Sequence, residues 1–250
     1  MDREISVDLR RSLKALRLGK LLPTLPDRLR LARERKLDPE DFLLTLLTDE
    51  IQRRDQHRHT LRALEAGLLP DLVFDSWDRG TDVTLNTGLL EELRTLKFLE
   101  RHHHVLIAGP VGVGKTMLAH SLGHLAVLRD YSVHCESAEK LLHRLKASRL
   151  DNSYERELRR LREVDLLIID DLALRPMDAR ETGDLYELVV SRHRKGSMIV
   201  TSNRDPSEWL SLFSDPLQAQ SLVDRFSNNA LDLVIEGPSY RRRQKPRSGV

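Results

Sequence analysis

Val105-Leu106-Ile107-Ala108 runs directly into Gly109-Pro110-Val111-Gly112-Val113-Gly114-Lys115-Thr116, and the join of these stretches decides the fold. An unbroken apolar run of this length suits a short strand buried on both faces. The residues after it match G-x-x-x-x-G-K-[ST] at every fixed position. The glycines of such a loop let backbone N–H groups turn inward around phosphate oxygens. Lys115 is then placed to reach the terminal phosphates and Thr116 to offer its hydroxyl to magnesium. A helix expected from Lys115 to about Arg129 carries Met117 just behind the loop. Gly109, Pro110, Val111, Gly112, Val113, Gly114, Lys115, Thr116 and Met117 are therefore the expected nucleotide contacts. A preceding strand and a following helix give the loop a context that a chance glycine-rich turn lacks.

A phosphate loop needs a carboxylate to hold the metal. Leu166-Leu167-Ile168-Ile169-Asp170-Asp171 supplies one by burying a strand and releasing two acids at its C-terminal end, the edge where ligands sit in open α/β sheets. Asp170 is expected to hold magnesium, directly or through water. Asp171 is expected to orient and deprotonate an attacking water, although adjacent acids are common at strand ends. Thr201-Ser202-Asn203 closes another apolar strand, Met198-Ile199-Val200. Asn203 there positions the γ-phosphate or the lytic water, or is simply a turn residue. Arg225, in Val223-Asp224-Arg225-Phe226, is a candidate to stabilise charge on a transferring phosphoryl group from a neighbouring subunit. Taken alone, an Asp-Arg pair is more often a surface ion pair.

Outward from these motifs the pattern alternates. Strands are expected at Tyr131–Cys135 and Leu231–Ile235, and helices over Leu89–Leu99, Ser137–Arg149, Tyr154–Glu163 and Glu181–Arg194. Strands alternating with helices, with apolar runs too continuous for a one-faced sheet, imply an α/β fold whose parallel sheet is sandwiched by helices. Residues 1–75 read instead as a small all-helical domain. Leu9, Leu13 and Leu16 share one helical face, Asp27–Lys36 is a basic helix, and Asp38-Pro39-Glu40-Asp41 opens a further helix. That helix is expected to carry Phe42, Leu43, Leu46, Leu47 and Ile51 inward. Residues 71–88 read as irregular, 76–237 as the nucleotide-binding core and 238–250 as a basic tail.

Bulk properties narrow the class. Apolar residues are 40% and charged residues 32% of the chain, a balance that suits a globular protein with a real core. No window approaches the roughly 20 apolar residues of a membrane-spanning helix, and the charged N-terminus lacks a signal-like apolar run. One cysteine, Cys135, permits no intrachain disulfide and reads as a small buried residue, so a cytoplasmic location is expected. The net charge of +2 conceals a basic stretch, Leu9–Lys36, with ten Lys/Arg against Asp27 and Glu34. Such clusters are as compatible with a solvated surface as with nucleic acid. His102-His103-His104 is a metal candidate by composition only, since consecutive side chains on a strand do not converge on one ion.

Gly109–Thr116, Leu166–Asp171, Thr201–Asn203, Asp224-Arg225 and Ser239-Tyr240-Arg241 together resemble the AAA+ ATPases of the helicase-loader and initiator group. More closely, and over nearly the whole length, the chain resembles the IstB-type transposition helpers. The resemblance takes in Gly19-Lys20 before an arginine-rich helix and the closing Gly237-Pro238-Ser239-Tyr240-Arg241. It implies a P-loop NTPase with ATP and Mg2+ as cofactors, Lys115 and Thr116 on phosphate and metal, and Asp170 as metal ligand. It further implies Asp171 as the catalytic acid position, Asn203 as first sensor, Arg225 as trans-acting finger and Arg241 as a second sensor. Asp171 departs from the superfamily, where most members place Glu, and its shorter side chain bears on turnover rather than on binding. The resemblance also implies DNA, a transposase and a homo-oligomer with ATP sites at subunit interfaces. Lys140, His143, Arg144, Lys146 and Arg149 on one helix are candidates for DNA phosphates. With aromatics at 4%, backbone contact with duplex fits better than base stacking. A replicative helicase loader would share the same motifs and differ by partner. A small-molecule kinase would need phosphate-clamping lid arginines and an acceptor pocket, patterns absent from the sequence. A DNA-binding scaffold with negligible turnover is the remaining alternative.

Overall fold

A computed structural model of the chain describes residues 5–77 and 83–240. Two compact units result, Met1–Leu61 and Arg62–Val250.

In the first unit Ser6 caps α1 (Val7–Ala15) by accepting the Leu9 N–H at 3.2 Å. α2 (Leu25–Glu34) starts with Pro26 in its first turn. α3 (Pro39–Glu65) opens as its sequence requires: the Asp38 carboxylate accepts the Glu40 N–H at 3.1 Å, with Glu40 and Asp41 at the positive end of the dipole. Leu13, Leu21, Leu25 and Leu46 form a small core against which Phe42 packs. The expected inward set of α3 is only partly realised, because Leu43, Leu47 and Ile51 are exposed; so are Leu9 and Leu16 of α1. The reason is coverage. The small core takes in Phe42 and Leu46 of α3, and the adjoining stripe is left uncovered in this unit. Glu50, one more turn along the buried face, is held by Arg53 and Arg54 at 2.8 and 2.7 Å; the Arg53 hydrogen bond leads in pulling its carboxyl down to about 2.

The division between units falls inside α3, earlier than residue 75, because Ala63, Ala66 and Leu68 belong to the core of the second unit. There follow β1 (Thr84–Leu85), α4 (Thr87–Arg94), α5 (Lys97–Glu100), β2 (His104–Ala108), α6 (Lys115–Leu128), β3 (Val133–Ser137) and α7 (Ala138–Ser148). The chain continues through α8 (Tyr154–Glu163), β4 (Leu166–Leu172), α9 (Ala179–Arg192), β5 (Ser197–Ser202), α10 (Pro206–Trp209), α11 (Pro216–Ser227) and β6 (Ala230–Glu236). Two local readings change. The helix expected over Leu89–Leu99 is broken at Leu96, whose φ of 62° turns the chain so that Leu93, Leu96, Phe98 and Leu99 share one core. The irregular stretch 71–88 contains β1, which pairs antiparallel with β6.

Among the described residues the strands form one sheet in the order β1-β6-β2-β5-β4-β3, parallel from β6 onward. β2, β4 and β5 are buried on both faces, and period-two alternation sorts their side chains between them. Val105, Ile107, Leu166, Ile168 and Ile199 enter the core shared with α4 and α6. Leu106, Leu167, Ile169, Met198 and Val200 enter the opposite core with α7, α8, α9 and α11. Because β5 lies between β2 and β4, whatever follows β5 stands between the phosphate loop and the paired acids.

Arg192 anchors the far end of β5. It is fully buried, and its guanidinium donates to the carbonyls of Leu161 (2.8 Å), Arg162 (3.1 Å), Asp165 (3.1 Å) and Ser197 (2.7 Å). Burial pushes it down to about 10, still protonated at neutral pH. A planar fork with several donors serves carbonyls from two segments in a way an ammonium does not. Arg192→Met should therefore cost roughly 3 kcal/mol. Urea unfolding would read this as a lower midpoint at unchanged slope.

Candidate nucleotide-binding site

The end of β2 is tied to β5, since the Gly109 N–H donates to the Ser202 carbonyl at 3.2 Å. The loop then takes conformations that side chains resist, with φ of 83° at Gly112 and 105° at Gly114. Space forbids a side chain there as well: a Cβ on Gly114 would lie 2.6 Å from the Trp77 ring. Gly114 caps α6, so the N–H groups and positive dipole end of that helix face the loop.

Lys115 is nearly buried, and its ammonium donates to the carbonyls of Gly109 and Pro110, both at 2.8 Å, and to Asn203 Oδ1. The loop lysine and the β5 asparagine thus meet directly. Thr116 Oγ1 lies 3.0 Å from both carboxylate oxygens of Asp170. A hydroxyl and a carboxylate this close, beside a phosphate loop, fit magnesium, which takes few protein ligands and completes its shell with phosphate and water. Among the described residues no group of three or more His, Cys, Asp or Glu is placed to hold a metal by itself.

β4 runs past Ile169 and takes in both acids, with a bulge. Ile169 pairs with Val200 and Leu172 with Ser202, so Asp170 and Asp171 together oppose Thr201. Asp171 sits at φ 57°. Strict alternation would send its side chain to the face of Leu167 and Ile169; the bulge breaks the alternation, as bulges beside sites do, and Asp171 lines the cavity beside the phosphate loop.

That cavity has a volume of about 750 Å3 and is lined by Val111–Met117, Asp171 and Asn203, with Trp77 and Tyr240 among its other walls. Gly109 and Pro110 contribute through the carbonyls on Lys115, and Asp170 through Thr116. Tyr240 is fastened there by its N–H, which donates to the Gly112 carbonyl at 2.8 Å. Trp77 is not legible as a site residue in the sequence, because a lone aromatic outside any motif carries no signal; Tyr240 belongs to Ser239-Tyr240-Arg241, where the expected role is that of Arg241. Thr201 lay within a motif whose role went to Asn203.

Arg225 does not line this cavity. Its guanidinium donates to Tyr186 Oη at 2.9 Å and Ser221 Oγ at 2.8 Å. Arg241 lies outside the described residues, as does the basic tail after it. Two of the expected DNA contacts are also engaged within the fold: Arg144 with Glu136 (2.7 Å) and Glu157, and Arg149 with Asp184 while lying over the Tyr154 ring at 3.8 Å. Lys140, His143 and Lys146 of α7 remain exposed, together with Arg156, Arg159 and Arg160 of α8. His104 is a core residue. Burial pushes it down to about 3, its ring stacks on Phe226 at 5.3 Å, and Nδ1 accepts the Met198 N–H. Cys135 is buried too, its thiol pushed up to about 12 by desolvation.

Comparison with known proteins places this geometry. A family model described as IstB-like ATP binding protein matches residues 11–248. An insertion-sequence ATP-binding protein of Mycobacterium tuberculosis is 36% identical over 95% of both chains. The insertion sequence IS21 ATP-binding protein of Pseudomonas aeruginosa is 32% identical over 88% of this chain and 83% of its own. Among solved structures, AMPPCP-bound DnaA from Aquifex aeolicus superposes with a TM-score of 0.55 at 22% identity, over 66% of this chain and about half (51%) of that one. The DnaC helicase loader gives 0.53 at 18% identity, over 60% and 89%. These likenesses carry the fold alone: an AAA+ P-loop domain.

Two tryptophans occur in the chain. Trp209 is fully buried, whereas Trp77 lines the cavity. ATP with Mg2+ should change tryptophan emission in the parent protein, much less in Trp77→Phe, and not at matching concentrations in Lys115→Ala. An undiminished response in Trp77→Phe would contradict the assignment of this cavity to nucleotide.

Proposed function

The chain belongs to the IstB-like ATP-binding proteins, and from that membership we propose that it is the DNA-dependent ATPase of an insertion sequence, assisting a transposase in capturing target DNA. One observation carries the ATPase part. Hydrogen bonds from Lys115 to Asn203 and from Thr116 to Asp170 draw the phosphate loop and the ends of β4 and β5 into one cavity that Asp171 also lines.

The residues divide the work by position. Backbone N–H groups of the loop and α6 hold phosphate oxygens, and Lys115 exchanges its carbonyl partners for the terminal phosphates. Thr116 and Asp170 would hold magnesium, which would supply charge neutralisation at the phosphates. Asp171 accepts the proton of the attacking water. Asn203, already within hydrogen-bond reach of Lys115, orients the γ-phosphate. Arg225 stabilises developing charge in the site of a neighbouring copy, a reading supported by its absence from the lining of its own cavity. ATP sites at subunit interfaces follow from that role.

DNA enters through charge. Lys140 and Lys146 of α7 and Arg156, Arg159 and Arg160 of α8 are exposed basic side chains of the second unit. Arg10, Arg11, Lys14 and Arg17 are exposed on the first. Side chains of this kind contact duplex backbone without reading bases. No helix among the described residues is long and apolar enough to cross a membrane, and a DNA partner agrees with a cytoplasmic location.

ATP hydrolysis should rise with duplex DNA more than with single strands, and equal rates with and without DNA would remove the DNA part of the proposal. Arg225→Ala and Asp171→Asn proteins, each inactive alone, should recover activity when mixed; no recovery would remove the trans role of Arg225. Lys140→Ala with Lys146→Ala should lower the salt slope of duplex binding by about 2. Arg144→Ala should instead lower thermal stability, because its partners are Glu136 and Glu157.

A further inference from the structure

The bulge in β4 leaves a question of accounting. Two residues, Asp170 and Asp171, stand opposite Thr201 alone, so the backbone ladder cannot serve both. The Asp171 N–H, turned out of register at φ 57°, would be an unpaired donor next to a fully buried strand. It donates instead to Thr201 Oγ1 at 2.8 Å. The same hydroxyl donates its proton to Asp170 Oδ1 at 2.6 Å. Thr201 is fully buried, with Thr116 approaching the same carboxylate from α6.

We infer that Thr201 is a positioning residue for hydrolysis: its hydroxyl bridges the Asp170 carboxylate and the Asp171 backbone, and thereby sets the direction in which the Asp171 side chain enters the cavity. A hydroxyl can do this because it donates and accepts at once. The bridge matters more here than it would for a longer acid. In Asp only rotation about Cα–Cβ moves the carboxyl carbon, so the backbone that carries it restricts the carboxylate to a few rotamer positions. A left-handed conformation costs a residue other than Gly free energy, less for Asp and Asn than for most, and Thr201 supplies a restraint that holds Asp171 there. Its hydrogen bond also ties Asp170 Oδ1 to β5, while Thr116 Oγ1 lies 3.0 Å from both oxygens of the same carboxylate. The β-branched shape of Thr limits the hydroxyl to few rotamers in the buried strand, which makes the restraint specific.

The inference rests on the ATPase reading, and two measurements separate their fates. The first is amide exchange at Asp171, which requires no turnover. The N–H should be protected in the parent protein and in Thr201→Ser, and exposed to exchange in Thr201→Val, which keeps shape but loses the hydroxyl. A rapidly exchanging Asp171 amide in the parent protein overturns the bridge, whether or not Thr201→Val folds. The second is steady-state hydrolysis with a parallel titration of Mg2+ and a non-hydrolysable ATP analogue. Thr201→Val should lose about tenfold in kcat while its affinity for the analogue changes much less, and Thr201→Ser should recover most of the loss. Unchanged kcat in Thr201→Val, or a loss confined to nucleotide affinity, overturns the positioning role. Absence of hydrolysis in the parent protein under every DNA condition would sink the ATPase reading and the positioning role with it, while the exchange data still decide the bridge.

Discussion

Burial of β2, β4 and β5 on both faces is the constraint on which the site depends. A strand with helices above and below cannot carry polar side chains along its length without leaving them unsatisfied. Polar chemistry is therefore pushed to the strand ends, and because the strands are parallel those ends lie along one edge of the sheet. The phosphate loop follows β2, the acids end β4, and Asn203 follows β5. Sheet order does the rest, since β5 between β2 and β4 sets Asn203 beside Lys115 and Thr201 beside Asp170.

Within that edge, one irregularity converts an ordinary strand end into a site with two differently aimed carboxylates. Without the bulge, adjacent acids would face opposite sides of the sheet. With it, Asp170 keeps the alternation and meets Thr116, while Asp171 turns to the cavity. The cost of a left-handed aspartate is of order 1 kcal/mol or more, met locally by a buried hydroxyl. The same economy of groups appears at Arg192, where one side chain caps carbonyls from the end of α8 and the start of β5.

The basic character of the chain divides by environment. Arg192 is buried and the half-buried Arg144 and Arg149 are engaged within the fold, each held by carboxylates or carbonyls. Neighbours one helical turn away, such as Lys140 and Lys146, are exposed to water. In the first unit Leu43, Leu47 and Ile51 show the matching ambiguity for apolar residues: the helical spacing that marks a buried face also fits a stripe that its own unit leaves uncovered.

Local chemistry written in consecutive residues could be determined by the sequence alone. The loop Gly109–Thr116, the apolar run into Asp170-Asp171, the Asp38-Pro39 helix start and the near-continuous strands that imply a doubly covered parallel sheet are all patterns within a few residues, where sterics and hydrogen bonding act directly. What depends on distant segments meeting was left to the tertiary structure. The break at Leu96 answers to core packing, the pairing of β1 needs β6, and Arg144 finds Glu157 only because α7 and α8 pack together. Trp77 joins the cavity across a long stretch of chain. The bulge that aims Asp171 is invisible in Leu166–Asp171 itself, because a bulge is a property of two strands in register. Which residue stands opposite, Thr201, is settled by the pairing of β4 with β5 rather than by either strand alone.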